Sequence, residues 1–128
     1  MEELRWLDYQ WRLSDRKRTP LSGKEARESG DILFEKTFLS GCLAIGENRK
    51  SYFETGKPFN AVAFKKDHPL IATRPENSRI SSAIFNSDSS AIDTVITGGN
   101  LVVKSGKHVN QNEFLGKFRA EMENILSF

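Results

Sequence analysis

The chain has 128 residues, 38% hydrophobic and 28% charged, and a formal net charge of +2. A domain of this size buries roughly two-thirds of its unfolded surface, the composition excludes a disordered chain, and so small a charge makes no electrostatic case for nucleic acid. A lone cysteine, Cys42, excludes an internal disulfide; apolar runs are too short for a membrane helix and Met1-Glu2-Glu3 does not open a secretory leader, so a soluble cytoplasmic chain is expected.

Residues 2–18 are predicted as a helix. Leu4, Leu7 and Trp11 share one stripe, flanked by Trp6, Tyr9 and Leu13. Glu2 and Glu3 open it and Arg16, Lys17 and Arg18 close it, matching the helix dipole. Pro20 and Gly23 are expected to end it, and residues 21–30 read as a polar loop. Ser29-Gly30-Asp31 then starts a second helix to about Ile45. Ile32, Leu39 and Leu43 form one line on it; Phe34, Phe38, Cys42 and Ile45 form another. This wide apolar face predicts a well-buried helix, with Gly46 as its C-terminal cap.

Residues 47–57 are turn-rich. Residues 59–64 read as a short strand with Val62 and Phe64 on one face. Pro69 holds His68 extended, and residues 70–76 are expected to be irregular. Asn77 or Ser78 is expected to cap a short helical turn through Ile84-Phe85, and residues 86–90 form a polar loop. The clearest element follows. Residues 92–108 read as a β-hairpin: Val95, Ile96, Leu101, Val102 and Val103 are strand formers around Gly98-Gly99-Asn100, which supplies positive φ for a tight turn. Asn110 and Glu113 have capping-box spacing. The final helix places Phe114, Phe118, Met122 and Ile125, with Leu115 and Leu126, on one face.

Residues that could carry chemistry are sparse. His68 and His108 have no partners at metal-ligand spacing. Cys42 lies on an apolar helix face, where a buried inert thiol is expected. Glu2-Glu3 could pair in catalysis but suits the helix dipole better, and Asp88 lies in a turn-forming Asn-Ser-Asp-Ser-Ser run. Gly98-Gly99 joins strand to strand, whereas a phosphate-binding loop runs into a helix. Arg12, Arg16, Lys17 and Arg18 beside Trp6, Tyr9 and Trp11 could form a basic stacking surface; core packing is the better reading of the aromatics. The residues alone describe an α+β chain, helices plus a small antiparallel sheet.

Two stretches resemble one family. Glu2-Glu3-Leu4-Arg5-Trp6-Leu7-Asp8-Tyr9, followed by Arg12-Leu13 and Asp15-Arg16-Lys17-Arg18, is similar to the post-barrel helix of the formimidoylglutamate deiminase family of metal-dependent amidohydrolases. Residues 92–108 resemble the strand, Gly-containing turn and second strand that complete the β-sandwich beside the amidohydrolase barrel. Residues 38–46 resemble the helix leading out of the barrel, residues 56–64 the strand after it, and His68-Pro69-Leu70 a recurring segment. The resemblance covers nearly the whole chain in order. It departs at Phe59-Asn60, where the family has Ala-Asp, at Ala83, where a Trp is common, and at Ser40-Gly41-Cys42, which replaces a Gly-Gly-Ala-like run.

The resemblance implies the C-terminal part of an amidohydrolase: one domain over residues 1–128, with a helical part (1–46) like the end of the barrel and a β-sandwich remnant with a C-terminal helix (47–128). The family hydrolyses N-formimidoyl-L-glutamate to N-formyl-L-glutamate and ammonia, in histidine breakdown, using a Zn or Fe divalent ion. Its metal ligands match no residue here; its metal aspartate would precede Met1. No catalytic, cofactor-binding or metal residue is therefore assigned, and the chain alone is expected to be inactive. A (β/α)₈ barrel needs about 250 residues, so its absence should expose apolar surface on Trp6, Trp11 and the Phe38 face, and leave one hairpin edge without its usual neighbour. The expected partner is a second copy or a separately encoded N-terminal barrel portion, with neither nucleic acid nor membrane. The alternatives are a small non-enzymatic interaction or oligomerisation module and, more weakly, a basic nucleic-acid-binding domain.

Overall fold

The computed structural model describes residues 1–18, 21 and 27–127; Pro20 and Gly23, expected to end the first helix, lie outside them. Among these the fold is α+β, with five helices and one four-stranded antiparallel sheet. The chain divides into two compact units, one of residues 1–57 and 65–91, the other of residues 58–64 and 92–128.

The first unit is helical. Helix α1 is Glu2–Asp15; it stops short of the expected Arg18 because Arg16 turns left-handed at φ 52°. Helix α2 is Ser29–Ala44. Its end is a Schellman motif. Gly46 takes φ 75°, its N–H donates to Leu43 O at 3.1 Å, and Glu47 N–H donates to Cys42 O at 2.8 Å. Both bonds satisfy carbonyls the helix cannot use itself. In the following turns the Glu54 carboxylate accepts the N–H groups of Lys50 and Ser51, which hold its pKa below the ordinary value.

Residues 70–72, in the stretch expected to be irregular, belong to the one-turn helix α3, Pro69–Ala72. Pro69 does extend His68 (ψ 120°), but it also stands at the first helical position, where its fixed φ suits a helix and its missing N–H is no loss. Helix α4, Arg79–Phe85, follows a 3₁₀ turn at Glu76–Ser78. Ser78 sits at its N-cap without a side-chain capping bond. Helix α4 is the unit's centre. Ile84 is fully buried and packs with Leu33 and Leu21, bordered by Leu4, Ile32, Phe34 and Phe85. Two serines tie α4 to its neighbours: Ser81 Oγ accepts the Gly30 N–H at 3.1 Å, and Ser82 Oγ donates to Leu70 O. Gly30 is what permits this approach, since a Cβ there would lie 2.5 Å from Ser81 Cα.

The second unit holds the sheet, in strand order β1-β2-β3-β4: Ala61–Phe64, Ile92–Thr97, Asn100–Lys104 and Lys107–His108. The hairpin is where the sequence placed it. Thr97 pairs with Asn100, leaving Gly98 (φ 57°) and Gly99 (φ 82°) as a two-residue turn of the kind whose twist matches the strands. Ser105 (φ 51°) and Gly106 (φ 74°) repeat that turn and add β4, which the sequence did not reveal. Strand β1 pairs along β2, whereas β4 pairs with β3 only at Val103 and Lys104, so the start of β3 keeps the open edge that was expected. Asn60 seals the first turn, its Oδ1 accepting the Gly98 N–H at 2.7 Å. A bulge opposite Ala63 and Phe64 leaves Asp93 of β2 as the extra residue; along β1 itself Val62 is exposed and Phe64 half-buried.

Helix α5 is Gln111–Leu126. The expected capping box does not form: Asn110 makes no side-chain capping bond, and Glu113 pairs instead with Lys117 at 2.6 Å. Its apolar face is the expected one, yet Phe114, Leu115, Phe118, Ile125 and Leu126 are all exposed. Among the described residues of this unit none is fully buried.

Candidate functional site

Helix α1 turns an unexpected face inward. Arg5, Asp8 and Arg12 recur at i, i+3 and i+7, which aligns them on one side. Asp8 is fully buried, and Arg5 and Arg12 are half-buried. Arg12 Nε lies 2.6 Å from Asp8 Oδ2, a charge contact whose N–H is not aimed at the oxygen. The Arg12 guanidinium also stands 5.9 Å from the centre of the Phe85 ring, and Tyr9 packs against the same ring at 6.4 Å. The basic cluster read from the sequence is thus divided: Arg12 serves the interior, while Arg16, Lys17 and Arg18 are exposed.

Three further polar atoms lie buried without a hydrogen-bond partner among the described residues: Arg5 Nε, Asp8 Oδ1 and His68 Nδ1. Asp88 joins this group electrostatically. Its carboxyl is held below the ordinary range, chiefly by hydrogen bonds from the Ser90 hydroxyl and N–H, with the charges of His68 and Arg5 adding to the effect. A buried carboxylate costs several kcal/mol unless it is paired. Arg12 supplies that pairing within α1, and its guanidinium, with Tyr9, meets α4 at the Phe85 ring. Asp8 is closed to solvent and cannot meet a substrate where it stands. The sequence reading missed the stripe because the aromatic residues of α1 dominated the pattern. The signal was the Arg-x-x-Asp-x-x-x-Arg spacing.

The other candidates are dispersed. Cys42 is buried and free. Glu2 and Glu3 are exposed in the first turn of α1. His108 accepts the Asn110 N–H on Nδ1 at 3.1 Å and stacks against Phe114 at 5.5 Å. It borders an open depression of about 340 Å³ with Lys104, Ser105 and Lys107. A second depression, of about 240 Å³, is lined by Glu28, Arg74, Ser81 and Asn86. Among the described residues no three His, Cys, Asp or Glu side chains converge to hold a metal ion. Nor, among them, is any helix long and apolar enough to cross a membrane.

The exposed apolar surface is partly where it was expected. Trp6 is 60% exposed and Trp11 39%. The Phe38 face is only partly open: Tyr52 packs over it, with ring centres 4.8 Å from Phe38 and 5.4 Å from Phe34, while Ile45 on the same line is exposed. The opposite line of α2 is bare as well, with Leu43 71% exposed.

The crystal structure of an amidohydrolase from Brucella melitensis matches this architecture with a TM-score of 0.68 at 22% identity, covering 98% of this chain and 27% of that one. The chain thus shares its fold with about a quarter of that protein. In sequence the chain is similar to the formimidoylglutamate deiminase of Pseudomonas aeruginosa, 27% identical over 111 residues, which is 87% of this chain and 24% of that protein. The amidohydrolase-like chain thus spans about a quarter of the length of the relatives it matches, consistent with a C-terminal portion. No family model matches it.

Proposed function

We propose that this chain is the C-terminal portion of an amidohydrolase resembling formimidoylglutamate deiminase, inactive alone, that contributes to a cytoplasmic hydrolase when joined by an N-terminal barrel portion. The observation that carries this reading is the match along 87% of the chain to 24% of the deiminase. The reaction would be hydrolysis of a formimidoyl C–N bond, in N-formimidoyl-L-glutamate, with release of ammonia. In such an enzyme a metal-activated water attacks. By resemblance its ligands belong to the N-terminal portion, and this chain supplies structural cover.

The test is direct. The chain, Zn²⁺ or Fe²⁺, and N-formimidoyl-L-glutamate are incubated and ammonia is measured. No release is expected from this chain alone, and release is expected once an N-terminal portion is added. Turnover by the chain alone overturns the claim of inactivity. A second reading, a non-enzymatic interaction module, is favoured by the largely exposed apolar face of α5. It gains if the chain self-associates and no barrel portion binds it.

A further inference from the structure

We infer that the N-terminal portion docks on one defined face of the helical unit: the outward side of α1 and the adjoining line of α2. This rests on the reading of the chain as a C-terminal portion and adds which surface receives the partner.

The first observation is that α1 carries apolar residues outward, although Leu4 borders the core. A surface helix normally turns apolar residues inward and charges outward. Here the Arg5, Asp8 and Arg12 stripe lies inward, while Trp6 and Leu13 are 60% and 79% exposed. The second is that α2 carries apolar residues on both sides. Leu33 is buried and Phe34 and Phe38 lie against Tyr52, but Leu39 and Leu43 are open. A helix with apolar residues on more than one side suits a place between two layers, and among the described residues nothing covers Leu39 and Leu43. The two bare lines adjoin: Lys36, on the Leu39–Leu43 side of α2, stands 5.7 Å from the Trp11 ring of α1, and Trp11 is the neighbour of Leu7 at i+4.

What covers this face follows from size. This chain has the fold of about a quarter of a larger chain. A piece cut from a packed fold presents former interior as surface, and the occupant that restores it is the remaining three quarters. A second copy of this chain lacks that part of the fold. Helix α5 differs. Leu115, Phe118, Met122 and Ile125 follow the 3-4-3 spacing of a helix–helix seam, with Glu113 and Lys117 paired off it, so one more helix would satisfy it.

The probe is the P. aeruginosa deiminase truncated before its matched segment, tagged and co-expressed with this chain. Capture of the wild-type chain is expected. Trp6→Glu and Leu43→Glu should each weaken capture by about tenfold or more, as for central apolar contacts, while Phe118→Glu leaves it within about twofold. All three positions are exposed, and circular dichroism checks that each variant keeps its helices. If the wild-type chain is not captured, the reading as a C-terminal portion fails. If capture survives Trp6→Glu and Leu43→Glu but is lost in Phe118→Glu, that reading stands and the assigned face is wrong. Sedimentation of the chain alone adds a check: a dimer that Trp6→Glu dissolves would give the face to a second copy and overturn the inference.

Discussion

Replacing Gly30 by alanine probes the closest approach in the helical unit. A Cβ at this position would lie 2.5 Å from both Ser81 Cα and Ser81 Oγ. The hydroxyl could rotate away, but the Cα is backbone, so α2 and α4 must separate. Alanine is the better helix former by about 1 kcal/mol. Overpacking costs about 1–3 kcal/mol, and separation also loosens the bond from Gly30 N–H to Ser81 Oγ, worth about 1 kcal/mol. The net expectation is a loss of roughly 1–3 kcal/mol. Gly41 is the control. It lies in the same helix, and a Cβ there meets nothing within 4 Å, so Gly41→Ala should stabilise by up to about 1 kcal/mol. Urea denaturation followed by far-ultraviolet circular dichroism should move the two midpoints in opposite directions at unchanged slope. A stabilised Gly30→Ala variant would refute the close packing of α2 on α4.

Arg12→Ala leaves the Asp8 carboxylate buried without its counter-charge and should cost on the order of 2 kcal/mol, less than for a fully buried pair because Arg12 is partly exposed; adding Asp8→Leu should recover most of the loss, and a double-mutant cycle in urea reads the coupling. Ser105 holds φ 51° before Gly106 in the second turn, so Ser105→Asn, which creates the favoured Asn-Gly pair, should raise stability by up to about 1 kcal/mol, measured as an increase in Tm. The pKa of Glu54 is lowered in the folded state by the Lys50 and Ser51 N–H groups. Its contribution is therefore fully present above its unfolded pKa and lost as pH falls through the folded value. A urea titration carried from about pH 6 down to about pH 2 should show a shallower acid decline for Glu54→Gln than for the wild type.

The hairpin was legible because Gly98-Gly99 and the flanking Val and Ile residues demand one geometry, and local chemistry decides it. The helices were legible from period alone, though their ends were not: Arg16 stops α1 in a conformation that any basic residue could have taken or refused. Helix α3 was missed because Pro69 serves two structures, extending the residue before it and opening a helix after it. The capping box at Asn110 failed since Glu113 had a competing partner in Lys117. The largest gap concerned α1. Its stripe of Leu4, Leu7 and Trp11 suggested which side faces in, yet the helix rotates to bury Asp8. Period identifies an amphipathic helix, but which face is covered depends on what stands next to it. The amidohydrolase relationship came from specific residue order, such as Glu-Glu-Leu-Arg-Trp-Leu, which periodicity cannot supply.

The path of the chain between the two units limits how it can be divided. Strand β1 belongs to the sheet unit but is spelled out between two stretches of the helical unit, so the chain leaves that unit after Lys57, returns at Lys65 and leaves again after Ala91. No single recombination breakpoint delivers the sheet unit whole: a cut at 91/92 removes β1, and a cut at 57/58 carries α3 and α4 away with it. A cut anywhere between residues 57 and 92 therefore leaves at least one of the two units incomplete, so the chain cannot be divided into a helical half and a sheet half by proteolysis or by a single fusion point.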